Sequence, residues 1–178
     1  MKDNVQIKVI RVKITEDVYL VGSGQIRISN SYDCHVYLID CGNELVLIDA
    51  GSGLETKFII KNIRKEGFNE KKVSHLLLTH CHADHAGGCK NMKKLTGCKI
   101  VCAEAEGRLL EHGKDEEIGL DIAKKSLLYP DDYKFTHCKP DLIIKDRDII
   151  RIGRYIFQAI VVPGHSKAST CYLLDRDG

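Results

Sequence analysis

Apolar and polar residues follow two different periods along this chain. Apolar runs at 34–40 and 44–49 flank Cys41-Gly-Asn43, a tight-turn signal, and predict a pair of adjacent strands. Residues 53–65 place apolar side chains at helical spacing, and a glycine follows them after one further residue. Residues 73–79 form a short apolar run. We therefore expect an amphipathic helix and then a buried strand.

The rest of the chain continues this mixture of strands and helices. A charged, helix-prone segment occupies the middle, and short apolar runs return after it. Further strands are predicted at 5–14, 18–21, 99–102, 142–144, 149–152, 155–162 and 170–174. Further helices are predicted through Met92 and Leu95, at 104–112 and at 118–128. Since no repeat or linker interrupts this order, we predict an α/β fold in one domain covering residues 1–178.

The most distinctive stretch lies directly after the predicted strand at 73–79. It places His80, His82, Asp84 and His85 within six residues. In extended chain, residues i and i+2 point to the same side, so the first two imidazoles can converge on one ion. The carboxylate and the third imidazole fall where following glycines end the strand, so they are expected to face a second ion or a bound water. This predicts a metal site, with a surface histidine cluster as the alternative.

A distant segment adds a further histidine. His165 follows the predicted strand at 155–162 and a Pro-Gly turn. Alone it would be an ordinary loop residue. A histidine held on a turn at a strand end is well placed to join His80 and His82, so we predict a site with three imidazoles.

Three segments together resemble a known family. Residues 45–51 (Leu-Val-Leu-Ile-Asp-Ala-Gly), 79–88 (Thr-His-Cys-His-Ala-Asp-His-Ala-Gly-Gly) and 163–166 (Pro-Gly-His-Ser) are similar, in order and approximate spacing, to the first three motifs of the metallo-β-lactamase superfamily. Over the part from about Val18 to the end, the sequence is most similar to the glyoxalase II-like hydrolases of that superfamily. The resemblance implies a metallo-β-lactamase-like αββα sandwich.

The resemblance also implies roles for particular residues. His80, His82 and His165 would hold the first metal ion, and Asp84 and His85 would contribute to the second. Asp49 is similar to the family's buried carboxylate beneath the site. Zinc is the expected metal, with two ions per intact domain, and iron or manganese are alternatives.

Two departures from the family pattern are visible. Ala168 stands where the family usually has glycine after its Pro-Gly-His-Ser/Thr motif, and the later bridging aspartate and last histidine ligand are absent from this sequence. Asp175-Arg-Asp-Gly178 also has the composition of a hairpin turn, yet no return strand follows. We therefore predict a domain truncated at its C-terminus, with a frayed polar tail as the alternative.

The implied function is a metallo-β-lactamase-fold hydrolase that uses a metal-bound hydroxide on an ester- or thioester-like small molecule. Asp84 is the predicted catalytic residue, which orients the hydroxide and takes its proton. One alternative is a mononuclear iron oxygenase of the persulfide dioxygenase kind. Another is a noncatalytic metal-binding module. The flavodiiron branch of the family is disfavoured because it has glutamate in place of His82.

Composition restricts the classes of function. The chain has 27 basic and 25 acidic residues and a net charge of +2, which provides no strong field for nucleic acid or an anionic membrane. No apolar stretch approaches the ~20 residues of a membrane helix, and no signal-peptide core is found. We expect a cytoplasmic protein with a small-molecule substrate, and its oligomeric state stays open.

The remaining cysteines and histidines receive structural assignments. The eight cysteines contain no Cys-x-x-Cys pair and are predicted to be reduced. Cys81 and Cys89 are close to the histidine cluster, so metal ligation by a thiolate is an alternative for these two. His112 and His137 lack a metal-like neighbour at short spacing and are predicted to be exposed. His75 is predicted to be a hydrogen-bonded core residue.

Overall fold

The computed structural model describes residues 12–175. Most of the strand predicted at 5–14 and the last three residues of the turn predicted at 175–178 therefore lie outside the described part. Within it, Lys13 forms an isolated antiparallel bridge with Tyr19. The architecture follows from two sheets and a set of helices.

The larger sheet has six strands in sequence order, and its strands change direction only near its start. Strands β1, β2 and β3 are antiparallel, whereas β3, β4, β5 and β6 are parallel. The strands are β1 (Val18–Gly22), β2 (Val36–Asp40), β3 (Leu45–Ile48), β4 (Val73–Leu77), β5 (Lys99–Ala103) and β6 (Leu142–Ile144). A smaller antiparallel sheet contains β7 (Ile149–Ile152), β8 (Tyr155–Val161) and β9 (Thr170–Asp175).

Five helices and one 3₁₀ turn connect the strands of the larger sheet. They are α1 (Thr56–Lys65), the 3₁₀ turn Glu70–Lys72, α2 (Ala83–Ala86), α3 (Cys89–Thr96), α4 (Glu104–His112) and α5 (Leu120–Lys125). Helix α1 buries Ile59, Ile60 and Ile63 on one face, as its apolar spacing predicts. Gly67, with φ of 91°, lies just beyond its end and can adopt the left-handed backbone there.

Two cores hold the layers together. The first core lies between the helices and the larger sheet, with Ile63, Leu76 and Leu110 fully buried. The second lies between the sheets, where Leu77 and Val101 meet Phe157. Complete burial of a side chain of the size of Phe157 contributes about 1.5–3 kcal/mol relative to exposure. No helix in residues 12–175 contributes to this second core.

The parallel strands direct their loops to one edge of the larger sheet. Because the carboxyl ends of β3, β4 and β5 meet there, the loops after these strands lie side by side. The loop between β8 and β9 reaches the same edge, since the Thr170 N–H donates to the Thr79 carbonyl at 2.9 Å. The predicted histidine motifs are therefore brought together from both sheets.

The histidine loop packs closely against the loop after β3. The Gly88 N–H donates to the Gly51 carbonyl at 2.8 Å, and a Cβ at Gly88 would lie 2.1 Å from the Ala50 carbonyl oxygen. Since that neighbour is backbone, it has little freedom to move. We expect Gly88→Ala to lower the free energy of unfolding by about 3 kcal/mol, measured by urea denaturation of metal-free protein.

Gly42→Ala is the control for this prediction. Gly42 has φ of 93° with open space around it, so alanine there adds only backbone strain, of about 1 kcal/mol. Gly88 has φ of −83°, which alanine adopts without strain, so the destabilisation by Gly88→Ala would come from the steric contact with Ala50. Equal destabilisation by the two substitutions would contradict a tight contact between the loops.

Candidate metal centre

Three imidazoles form a compact triangle at the sheet edge. The ring centroids of His80, His82 and His165 are separated by 4.6 to 4.7 Å. One ring nitrogen from each lies within 4.8 Å of the others. His80 and His82 come from the extended segment after β4, and His165 comes from the β8–β9 loop. The structure thus brings together the three histidines that the sequence predicted as one set.

The geometry of His80 fits a metal ligand. Its Nδ1 lies 3.0 Å from the Thr79 hydroxyl, while its Nε2 is buried and has no hydrogen-bond partner among residues 12–175. Burial and the neighbouring imidazoles lower the pKa of His80 to about 3, and burial also lowers that of His82. Both rings are therefore neutral at pH 7. Neutral nitrogens within reach of one another suit Zn²⁺ or a similar divalent ion.

His85 lies between two carboxylates beside this triangle. Its Nδ1 donates to Asp49 Oδ2 at 2.7 Å, and its Nε2 lies 3.3 Å from Asp84 Oδ2. Asp49 also accepts hydrogen bonds from the Thr79 N–H and hydroxyl, so both of its oxygens are used. Asp49 has a left-handed backbone, with φ of 64°. Asp49 is buried, as the resemblance implies, and its hydrogen bond orients the His85 ring.

The charges in this cluster depend on those contacts. Burial alone would lower the pKa of His85, but hydrogen bonds to Asp49, Asp84 and Cys34 outweigh it and raise the pKa to about 12. Burial alone would raise the pKa of Asp84, but its hydrogen bond to His85, the positive charge of His85 and a backbone hydrogen bond together outweigh burial and lower it. In the metal-free protein, one imidazolium therefore lies between two carboxylates and offsets part of their negative charge. Asp84 is ionised and can accept a proton from a group in the adjoining cavity.

The structure adds one thiol that the sequence analysis did not select. Cys34 Sγ lies within 4.8 Å of ligand atoms of both Asp49 and His85, and the Cys34 N–H donates to the Asp84 carbonyl at 3.2 Å. Cys81 and Cys89, the cysteines considered as ligands from their sequence positions, are instead buried in the first core. No local motif marks Cys34, because its contact with His85 joins positions far apart in the chain.

A cavity with a partly apolar lining opens beside Asp84. It has a volume of about 730 Å³, and His82, Asp84 and His85 lie at one side. The segment between α4 and β6 supplies much of the opposite wall. The apolar part of the lining comprises Tyr32, Ile118, Leu120, Ala123, Leu128 and Tyr129. Tyr32 and Tyr129 stack with ring centroids 5.0 Å apart, and no lysine or arginine is among the described lining residues.

His75, His112 and His137 belong to neither group of candidate ligands. His112 and His137 are exposed, and His137 Nδ1 lies 3.2 Å from the Leu110 carbonyl. His75 is only half-buried in β4, with Nδ1 2.9 Å from the Ser74 hydroxyl. The exposure predicted for His112 and His137 is confirmed, whereas His75 lies at the periphery of the core because its side of the strand is partly open.

Comparison with known proteins gives a consistent family assignment. The family model of the metallo-beta-lactamase superfamily matches residues 31–178. An atrochrysone carboxyl ACP thioesterase of Cryptosporiopsis sp. (strain 8999) is 25% identical over 148 residues, covering 80% of this chain and 35% of the relative. A hydroxyacylglutathione hydrolase of Rhodopseudomonas palustris (strain BisB18) is 24% identical over 119 residues, covering 67% and 35%.

A solved structure shows the same fold. The subclass B3 metallo-beta-lactamase BJP-1 of Bradyrhizobium japonicum has a TM-score of 0.76 and 29% identity, covering 94% of this chain and 58% of that one. The predicted fold class is thereby confirmed. The chain spans about a third of the length of the two relatives above. Among residues 12–175, no helix has the length and apolar character needed to cross a membrane.

Proposed function

The chain belongs to the metallo-beta-lactamase superfamily, and from this premise we propose that it is a metal-dependent hydrolase of ester- or thioester-like substrates. The observation that carries the proposal is the triangle of His80, His82 and His165 with the ionised Asp84 carboxylate beside it. A ligand cluster next to an acid–base group at a cavity is the arrangement that metal-assisted hydrolysis needs.

Each residue of the cluster has a proposed role. His80, His82 and His165 hold the first ion, and Asp84 and His85 contribute to the second. Zinc is the proposed metal, with two ions in an intact domain and iron or manganese as alternatives, since the donors are imidazole nitrogen and carboxylate oxygen. A bound divalent ion would supply Lewis-acid activation of a carbonyl and of water.

Asp84 is the proposed catalytic residue. Its side chain is 41% exposed, and the residue lines the cavity where a substrate would lie. An ionised carboxylate at that position orients an attacking water and takes its proton at Oδ1 or Oδ2. His85 supports this role, because Asp49 holds its ring and its Nε2 faces Asp84 Oδ2.

The cavity supports a substrate with a neutral, apolar acyl group. One part of its wall is formed by aliphatic and tyrosine side chains, so burial of an apolar acyl group against that part is favourable. No lysine or arginine is among the described lining residues, and the His85 imidazolium at this wall is already paired with Asp49 and Asp84, so a substrate carboxylate meets little free positive charge. A thioester with an uncharged acyl chain fits these features better than an acidic substrate does.

The domain organisation, the cellular compartment and the class of substrate are proposed as well. We propose one metallo-hydrolase domain over residues 1–178, acting in the cytoplasm on a small molecule. All eight cysteines are free, as expected in a reducing compartment. The distribution of 27 basic and 25 acidic residues supports a substrate other than nucleic acid.

Hydrolysis of a matched thioester pair tests the proposed function. We expect the zinc-loaded chain to release free thiol from hexanoyl-coenzyme A faster than from succinyl-coenzyme A, because only the succinyl group carries a carboxylate. A chelator should abolish the reaction, and added Zn²⁺ should restore it. No thiol release from either compound, or release that is insensitive to the chelator, would overturn the proposal. Oxygen consumption by the Fe²⁺-loaded chain with glutathione persulfide would instead favour the oxygenase alternative.

A further inference from the structure

We infer that Glu106 is a positioning residue that joins the two halves of the three-histidine site. Its carboxylate links the segment carrying His80 and His82 to the loop carrying His165. The inference rests on the proposed metal site but not on any particular reaction.

The contacts of Glu106 define this link. The residue lies in the first turn of α4 and is completely buried. Its Oε2 accepts a hydrogen bond from the Cys81 N–H at 2.8 Å. Its Oε1 accepts from the Ser166 hydroxyl at 2.7 Å and from the Ala168 N–H at 2.8 Å. One carboxylate oxygen therefore holds each histidine-bearing segment.

The two segments need such a connection. Cys81 lies between His80 and His82, while Ser166 directly follows His165. His165 and the three residues before it are exposed, so packing alone does little to fix this loop. The Ser166 hydroxyl also contacts the Ser169 hydroxyl at 2.6 Å, which ties the loop internally. The hydrogen bonds of Glu106 fix the position of this loop, and so of His165, relative to His80 and His82.

The charge of Glu106 supports the same role. No lysine or arginine in residues 12–175 forms an ion pair with its carboxylate, which accepts hydrogen bonds from two N–H groups and one hydroxyl. A buried charge without a counter-charge is costly. A divalent ion among the adjacent imidazoles would supply positive charge close to this carboxylate. Glu106 thus connects the ligands mechanically and favours a cation electrostatically.

Glu106→Gln is the direct test because it keeps the size of the side chain. All three donors point at carboxylate oxygens, so the amide NH₂ of glutamine must face at least one donor. We expect Zn²⁺ affinity, measured by competition with a chromophoric chelator, to fall by about 10–100-fold. Glu70→Gln is the matched control. Glu70 is a buried carboxylate bonded to Arg64, away from the site, and its substitution should leave Zn²⁺ affinity unchanged.

A double-mutant cycle with His165→Ala separates positioning from general stability. If Glu106 acts by fixing His165, Glu106→Gln should cost less than about threefold in Zn²⁺ affinity once His165 is absent. An equal loss with and without His165, or no loss in the otherwise unchanged protein, would overturn the inference. If Glu106→Gln does not fold, Ser166→Ala provides the same cycle with one donor removed. Tight Zn²⁺ binding without hydrolysis would count against the proposed function and leave this inference intact.

Discussion

His82→Ala is expected to abolish stable metal binding by the three-histidine triangle. His82 supplies one of three ring nitrogens within 4.8 Å of one another, and two imidazoles are fewer protein ligands than zinc sites ordinarily have. Loss of a ligand should weaken Zn²⁺ binding by more than the roughly 100-fold that loss of a supporting residue costs. Elemental analysis after dialysis against metal-free buffer would show that the variant has lost the ion that the triangle holds in the parent protein.

His112→Ala is the matched control for that experiment. The side chain of His112 is 78% exposed, and its nearest acidic partner is Glu111 at 3.6 Å, so its removal should leave the metal content unchanged. Equal metal content in the parent protein and His82→Ala would show that the triangle is not the binding site.

Asp84→Asn should reduce hydrolysis by about 10²–10⁴-fold, the usual contribution of a positioned acid–base group. Asparagine preserves the size of the side chain but cannot take a proton from water at neutral pH. The three imidazoles are untouched, so we expect the ion in the triangle to remain. The measurement is kcat/KM for thioester hydrolysis together with metal content in the same preparation.

Asp148→Asn controls for the loss of a carboxylate elsewhere. Asp148 accepts a hydrogen bond from the Lys145 N–H in a turn, and asparagine can accept the same bond. Activity should therefore be unchanged in this variant. If Asp84→Asn hydrolyses thioesters as fast as the parent protein does, the catalytic role proposed for Asp84 is wrong.

The strands were more predictable than the helices, for local reasons. The prediction at 142–144 agrees with β6 and that at 149–152 with β7, because short apolar runs between polar residues define strands directly. The helix predicted at 53–65 begins only at Thr56. Gly53 has φ of 82° and lies close to the Gly87 carbonyl, a contact that apolar spacing cannot reveal. The helix predicted at 118–128 is likewise shorter, since Gly119 and Leu127 both have left-handed backbone.

The site was predictable where its chemistry is local. The spacing of His80 and His82 in extended chain was enough to predict that they converge, and His165 was found from its turn after a strand. Cys34 and Glu106 could not be found in this way. Cys34 is 51 positions from His85, and Glu106 is 62 positions from Ala168. Contacts over such distances in the sequence become visible only in the folded chain.

The backbone at Asp49 narrows the choice of amino acid at this position. A φ of 64° is strained for most side chains and is tolerated mainly by glycine, asparagine and aspartate. Glycine has no side-chain acceptor for these hydrogen bonds. Asparagine would replace one carboxylate oxygen by an NH₂ group, which would then face one of the donors that now bond to Asp49. Aspartate alone satisfies both the backbone and the hydrogen bonds. In a library of all twenty amino acids at position 49, selection for a folded and metal-competent chain should therefore recover little besides the parent residue.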